Sequence, residues 1–330
     1  MQISISPELT QFARDVDAGL SSSPKYLSSK YFYDDEGSRL FVEIMQLPEY
    51  YLTAAETRIF SDQAGQILSE LSPDGKGFDL IELGAGDGAK SAILIGHFLK
   101  SGADISYLPI DISLEACESL SARFRRIFPN LDVKPHHGDY FRVLDSLKSG
   151  SKRRKVIMFL GSNIGNLSPA GAVDFFRRLN SVMNEGDLLF IGFDLHKDPR
   201  VILRAYDDDQ GITAKFNLNL LSRINRELGG GFEVEKFSHY AVYRPEEMAA
   251  RSFLISREEQ NVTIASLGRS FHFKKWEAVF MEISQKYTRE MIAEFAAASG
   301  FVVRREFCDP ADAYCDSLWE KRPYVANVNQ

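Results

Sequence analysis

Three glycines at alternate positions, Gly84, Gly86 and Gly88, end the apolar run Phe78-Asp79-Leu80-Ile81-Glu82-Leu83 and precede a stretch with helical periodicity. Glycine lets a chain turn sharply and lets a ligand approach the backbone closely. A turn of this kind commonly offers helix N–H groups to phosphate. Here Glu82 and Asp87 are set into it, and carboxylates repel a pyrophosphate. They suit a cofactor with a positive charge and free hydroxyls, and S-adenosylmethionine is such a cofactor. The competing reading is a tight strand-to-helix turn without a ligand.

Two further acids fall where such a cofactor needs them. The run Ile105-Ser106-Tyr107-Leu108-Pro109-Ile110 ends in Asp111. A carboxylate at the end of the second strand is where ribose hydroxyls are held in this architecture. Asp111 also reads as the N-cap of a helix starting at Ser113-Leu114-Glu115. The third repeat, ending in Gly138-Asp139-Tyr140, sets one polar acceptor and one ring face beside an adenine.

Other residues with chemistry lie in loops and at strand ends. Pro48-Glu49-Tyr50-Tyr51 follows an apolar helix, and Gly161-Ser162-Asn163-Ile164-Gly165-Asn166 follows the fourth strand. Ligands of open α/β sheets sit outside the carboxyl ends of strands, so Asn166 is placed to face the reactive end of a cofactor. A cap on its own loop is the alternative. Tyr206 precedes Asp207 and Asp208 and reads equally as core. Glu282 and Ser284 share a face of a strand, because side chains two apart point the same way. A carboxylate and a hydroxyl there can bind a ring with two nitrogens, or form a solvated face. His136 and His137 alternate faces and cannot chelate one metal together. No metal site is expected.

Alternating elements must carry these residues. A helix over 54–71 leads into strands at 78–83, 105–111, 131–135, 156–160 and 187–194, with helices at 89–100, 113–127 and 169–184 between them. Near-continuous apolar strands are buried on both faces, as in a parallel sheet. Residues 199–228 read as helix, made polar by Asn217, Asn219 and Asn225. Strands at 238–243, 252–256, 260–264 and 279–284 follow. Helix 288–298 and strands 301–307 and 313–318 then return to the sheet. The fold class is α/β, a Rossmann-like sheet with an inserted α+β substrate domain. The division expected is 61–195 plus 286–330 for the sheet domain, and 1–60 plus 196–285 for the other.

The chain has 330 residues, 44% hydrophobic and 26% charged, with a net charge of −7. That is the balance of a soluble globular protein and disfavours a phosphate-backbone partner. The basic run Lys152-Arg153-Arg154-Lys155 follows Ser149-Gly150-Ser151 and reads as a solvated loop. Three cysteines, Cys117, Cys308 and Cys315, show no metal-ligand pairing and fit a reducing compartment. No signal peptide or 18-residue apolar run is seen. A cytoplasmic monomer with a small-molecule partner is expected, with no nucleic acid and no membrane.

Four segments, in order, also resemble the histidine Nα-methyltransferases of ergothioneine biosynthesis. They are Lys30–Ser38 with Leu47–Thr53, Phe159–Leu167, Asp194–Pro199 through Asp208, and Glu282-Ile283-Ser284. The similarity runs from about residue 24 to 320. It implies a methyltransferase domain with an inserted substrate domain and S-adenosylmethionine as cofactor. It implies that Tyr50, Asn166 and Tyr206 hold the amino-acid carboxylate and amine, and that Glu282 and Ser284 read the imidazole nitrogens. Gly84, Lys90, Asp111, Asp139 and Tyr140 match cofactor positions, Tyr140 standing where relatives often carry Phe. Ser252 stands where the family usually has Met lining the imidazole pocket, which leaves room for a different ring or a modified histidine.

The chemistry implied needs no covalent intermediate. A sulfonium methyl is electrophilic, and the amine must arrive deprotonated and in line. Tyr33 is a candidate for assisting proton loss, or a core residue. Asn166 aims the nitrogen. Up to three transfers convert histidine to N,N,N-trimethylhistidine (hercynine). A methyltransferase of tryptophan or another aromatic amino acid is the nearest alternative, and a non-catalytic S-adenosylmethionine sensor or partner subunit is one of another class. The Glu282/Ser284 pair favours imidazole, since indole offers one donor and no good acceptor.

Overall fold

The computed structural model describes residues 7–112, 114–147 and 153–321. The chain divides into two compact units. One comprises Leu52–His196 with the described residues from Gln285 onward; the other comprises the described residues up to Tyr51 with Lys197–Ser284. The first boundary therefore falls at residue 51, not 60. Helix Tyr51–Leu71 buries Ile59, Phe60, Ala64 and Ile67, and Phe60 stacks on Phe190 of the sheet unit.

Among the described residues the first unit holds an eight-stranded sheet. From one edge its strands are Phe301–Cys308, Tyr314–Lys321, Leu188–Asp194, Arg154–Phe159, Phe78–Leu83, Ile105–Asp111 and Asp132–Val133, and His136–His137 also pairs with Ile105–Asp111. The six strands from Leu188–Asp194 onward run parallel, and Tyr314–Lys321 is antiparallel to both its neighbours. Every residue of Phe78–Leu83 and Leu188–Asp194 is buried, as a sheet covered on both faces requires. Ile81, Ile157, Leu189, Phe176 and Trp319 belong to one apolar cluster. The strand order reverses at Phe78–Leu83. Such a switch point opens a crevice at the carboxyl ends of the strands.

Several elements differ from the sequence expectation. The strand at 131–135 is replaced by Asp132–Val133 and His136–His137; Pro135 between them has no N–H for a ladder. Helix Tyr140–Leu147 was not foreseen. The basic run is not a solvated loop. Arg154 and Lys155 open the strand Arg154–Phe159, Lys155 is buried 3.2 Å from Asp187, and Arg153 pairs with Asp79 and Asp104. Lys152, Ser149–Ser151 and Ser113 lie outside the described residues.

The second unit has its own core around Phe32, Phe216, Leu220, Leu254, Val279 and Met281. A four-stranded sheet runs Lys25–Tyr26, Ala278–Gln285, Ala249–Ser256, Phe237–Arg244, and the hairpin Gln260–Ile264/Arg269–Phe273 stands beside it. The helix expected over 199–228 is broken into Pro199–Arg204 and Ile212–Leu228. Asp208 makes the break by capping the second helix, its carboxylate accepting from Ile212 N at 2.9 Å and Thr213 N at 2.8 Å. The asparagines of that helix are internal ties. Asn219 donates to Asp34 at 2.7 Å, and Asn225 exchanges two bonds with the backbone of Phe232.

Candidate functional site

The glycine turn occupies the switch point of the sheet unit. Gly84, Gly86 and Gly88 all have positive φ, +69°, +54° and +64°. At Gly84 the requirement is double, because a Cβ would also come within 2.7 Å of the Tyr140 hydroxyl. The same point lies 3.8 Å from Asn163 Nδ2, while a Cβ on Gly161 would stand 3.3 Å from Lys90 Nζ and 4.0 Å from Asn163 Nδ2. Gly84, Lys90, Tyr140, Gly161 and Asn163 thus converge at the carboxyl edge of the parallel strands. A turn of left-handed glycines edged by these polar tips fits an adenosyl cofactor.

Asp111 ends its strand half-buried, and its carbonyl accepts from Gly138 N at 2.9 Å. That bond ties the Gly138-Asp139-Tyr140 turn beside it. Burial and, behind it, the carboxylates of Asp111 and Asp139 push the Tyr140 phenol above its ordinary range. Asp139 also opens the helix after it, accepting from Phe141 N at 3.1 Å and Arg142 N at 3.2 Å.

Glu82 corrects part of the sequence argument. It does not face a ligand. Its carboxyl is buried and accepts from Ser91 at 2.6 Å and Tyr107 at 2.5 Å. Burial raises its pKa to about 7, against the opposing pull of those two bonds. Asp87 caps Ala89 N at 3.0 Å and lies 3.7 Å from Arg123. Glu82 is therefore structural, and Asp87 caps the helix that follows the turn.

Lys90 belongs to a buried polar group that sequence reasoning missed. Its ammonium pairs with Glu56, which is fully buried. Glu56 also accepts from Gly161 N and from the Tyr314 hydroxyl, each at 2.8 Å. Gly192 makes room: a Cβ there would stand 2.1 Å from the Tyr314 hydroxyl and 2.7 Å from Glu56. Burial first, and then the Glu56 charge, push the nearby Asp316 carboxyl far up. Glu56 sits in an unremarkable helix far from its partners in sequence; an acid on that helix's apolar face was the available signal.

Asn166 ends the short 3₁₀ turn Asn163–Asn166 and is exposed. Its loop is pinned by Tyr287, whose hydroxyl donates to Ile164 O at 3.0 Å, and by Ser162, whose Oγ accepts from Asp194 N at 3.1 Å.

In the other unit the Tyr206 and Ser284 hydroxyls are 2.6 Å apart and buried. His239 Nε2 contacts the Tyr206 carbonyl at 3.0 Å. Glu282 is half-buried on the same strand, and Ser252 is buried on the neighbouring one, opposite Ala241. Tyr33 and Tyr50 both lie edge-on to Phe41, with centroids 5.4 Å and 6.2 Å away. Tyr33 is 43% exposed, so a pure core role is ruled out. Tyr51 is held by Lys197, 2.8 Å from its hydroxyl.

Among the described residues one cluster has metal-ligand chemistry, Glu306, Cys308 and Cys315, with ligand atoms within 4.8 Å of one another. The cysteines, read as unpaired from sequence, meet across a hairpin.

The family described as histidine-specific, SAM-dependent methyltransferase matches residues 12–321. The chain is 34% identical over 305 residues to the histidine N-alpha-methyltransferase of Mycolicibacterium smegmatis, covering 92% of this chain and 93% of that protein. It is also 34% identical over 327 residues to the histidine N-alpha-methyltransferase of Mycobacterium tuberculosis, covering 97% and 100%. A third relative, ergothioneine biosynthesis protein 1 of Schizosaccharomyces pombe, is 32% identical over 270 residues, covering 79% of this chain and 34% of that longer protein.

Proposed function

The chain belongs to the histidine-specific, S-adenosylmethionine-dependent methyltransferases, and we propose that it methylates the α-amine of L-histidine, through to N,N,N-trimethylhistidine, as a step toward ergothioneine. The observation that carries the substrate is the Glu282/Ser284 pair on one strand, with Ser284 against the Tyr206 hydroxyl at 2.6 Å. A carboxylate and a hydroxyl complement the two nitrogens of imidazole.

When bound, S-adenosylmethionine supplies an electrophilic methyl. The residues that would hold it are Gly84, Asp111, Asp139, Tyr140 and Lys90, with Asn163 added to that set. Asp111 accepts from ribose hydroxyls. Tyr140 and Asp139 serve the adenine. Glu56 holds the Lys90 ammonium in its buried place.

On the substrate side Tyr50, Tyr206 and Asn166 hold the amino-acid carboxylate and amine, while Glu282 accepts an imidazole N–H. Anchoring both ends of histidine fixes the α-nitrogen, and such positioning is worth up to roughly 7–11 kcal/mol of the barrier. Tyr33, 43% exposed, assists loss of the amine proton. We further propose that the enzyme acts in the cytoplasm as a monomer. No helix of the described residues is long and apolar enough to cross a membrane.

The test is incubation with labelled S-adenosylmethionine and each of the twenty amino acids, read by mass spectrometry. Histidine should gain up to three methyls. Glu282→Ala should weaken histidine far more than the cofactor. Equal histidine kinetics in that variant, or methylation of tryptophan in preference, would sink the imidazole reading.

A further inference from the structure

Cys308 and Cys315 sit directly opposite each other on the antiparallel strands Phe301–Cys308 and Tyr314–Lys321. The next pair toward the turn is hydrogen-bonded, with Asp309 N donating to Tyr314 O at 3.1 Å. The cysteines therefore occupy the adjoining non-hydrogen-bonded position, where side chains come closest and Cα atoms are about 4.5 Å apart. That spacing lies inside the range a disulfide spans. Both thiols are free, and their sulfurs are 2.8 Å apart. Two thiolates on one tetrahedral zinc, each at about 2.3 Å from the metal, stand roughly 3.8 Å apart. The pair is closer than that. Glu306, the third member of the cluster, is already taken by Arg289 at 2.5 Å.

The two cysteines are chemically unequal. Cys308 is half-buried, and Arg289 Nη2 lies 3.4 Å from its sulfur. Cys315 is buried. The hydrogen bond between the thiols, helped by the Arg289 guanidinium, holds Cys308 below the usual thiol range. The same bond and burial push Cys315 up. The less buried cysteine is thus the one with thiolate character, and its neighbour is poised to resolve it.

We propose that Cys308 and Cys315 are a modification site: a thiol pair that hydroperoxides convert reversibly to an intrachain disulfide. The Cys308 thiolate attacks a peroxide oxygen, the O–O bond breaks, and the leaving hydroxide takes a proton, giving Cys308 sulfenic acid. The Cys315 sulfur, losing its proton, attacks the sulfenic sulfur. The S–S bond forms, the S–O bond breaks, and water leaves. Two thiols and one hydrogen peroxide give one disulfide and two waters. A dithiol reductant reverses the change by exchange. Disulfides of reducing compartments are of this transient, redox-sensing kind.

The test is to treat the full native chain with one equivalent of hydrogen peroxide and map peptides by mass spectrometry without reduction. The expected result is a Cys308–Cys315 cross-link, loss of two of the three thiols, and full recovery with dithiothreitol. Cys315→Ser should stop at a sulfenic acid on Cys308 that dimedone traps. Cys308→Ser should slow oxidation of Cys315 on the order of ten-fold or more. Oxidation of Cys308 straight to sulfinic acid with Cys315 present, or cross-linking through Cys117, would overturn the proposal. So would stoichiometric binding of zinc alone that shields both thiols from peroxide.

Discussion

The Tyr206 hydroxyl and Ser284 Oγ stand 2.6 Å apart although they are 78 residues apart in sequence. In the proposed function the first holds the amino-acid backbone of the substrate and the second reads its ring, so one hydrogen bond would couple the two tasks. Tyr206→Phe keeps the ring and removes the coupling. The expected loss is about ten-fold in kcat/KM for histidine, roughly 1.4 kcal/mol. Ser284→Ala should show a similar loss, and the double variant less than the sum of the two, because they share one bond. A Tyr206→Phe enzyme with wild-type kcat/KM would mean that Tyr206 is structural.

Asp111 is expected to bind the cofactor ribose. Calorimetry on Asp111→Ala should show S-adenosylmethionine binding weakened by about 1.5–3 kcal/mol, as for a hydrogen bond to a charged group. Unchanged affinity would remove Asp111 from the site and leave it with its strand-end role.

Glu82 makes stability depend on pH. Its folded pKa is about 7, above the ordinary 4.5. The folded protein therefore binds a proton more tightly than the unfolded chain does. The resulting stabilisation is complete below pH 4.5 and declines as pH rises to about 7, above which it is gone. Its size is on the order of 3 kcal/mol. Urea titrations at pH 5 and pH 8 should show Glu82→Gln relieved of this part of the pH dependence. Parallel curves for wild type and variant would show that another group sets it.

Lys90→Met would leave the Glu56 carboxylate buried without its cation. The expected cost is about 3–5 kcal/mol, read as a drop in thermal midpoint. Tyr314→Phe removes one donor to the same carboxylate and should cost about 1.5–3 kcal/mol. A Lys90→Met protein as stable as wild type would show that the buried pair adds no net stability.

Much of this was legible in sequence because local spacing carries it. Gly84, Gly86 and Gly88 after an apolar strand, and Asp111 after the next, sit at the switch point as period and turn chemistry demand. The family resemblance, quoted from four motifs, agrees with the similarity over residues 12–321. Glu82 misled because nothing near it in sequence shows that Ser91 and Tyr107 take both its oxygens. Glu56, Lys90 and Tyr314 span 258 residues from Glu56 to Tyr314, and only the sheet order brings them together. The Cys308–Cys315 contact was hidden for a simpler reason. Strands are expected at 301–307 and 313–318, but spacing alone does not give the register that sets one thiol against the other.

The order of synthesis gives the strand Leu188–Asp194 an exposed interval. Its partner on one side, Arg154–Phe159, leaves the ribosome first, but the strand that covers its other side is Tyr314–Lys321, which sets Tyr314 opposite Asp194. Between them the ribosome must make the whole of Lys197–Ser284. Throughout that time seven consecutive core residues present an open edge of unpaired N–H and C=O groups to whatever is nearby. Pausing of translation after residue 194, or shortage of holding chaperones, should therefore raise aggregation of nascent chains far more than the same stress applied to the finished protein.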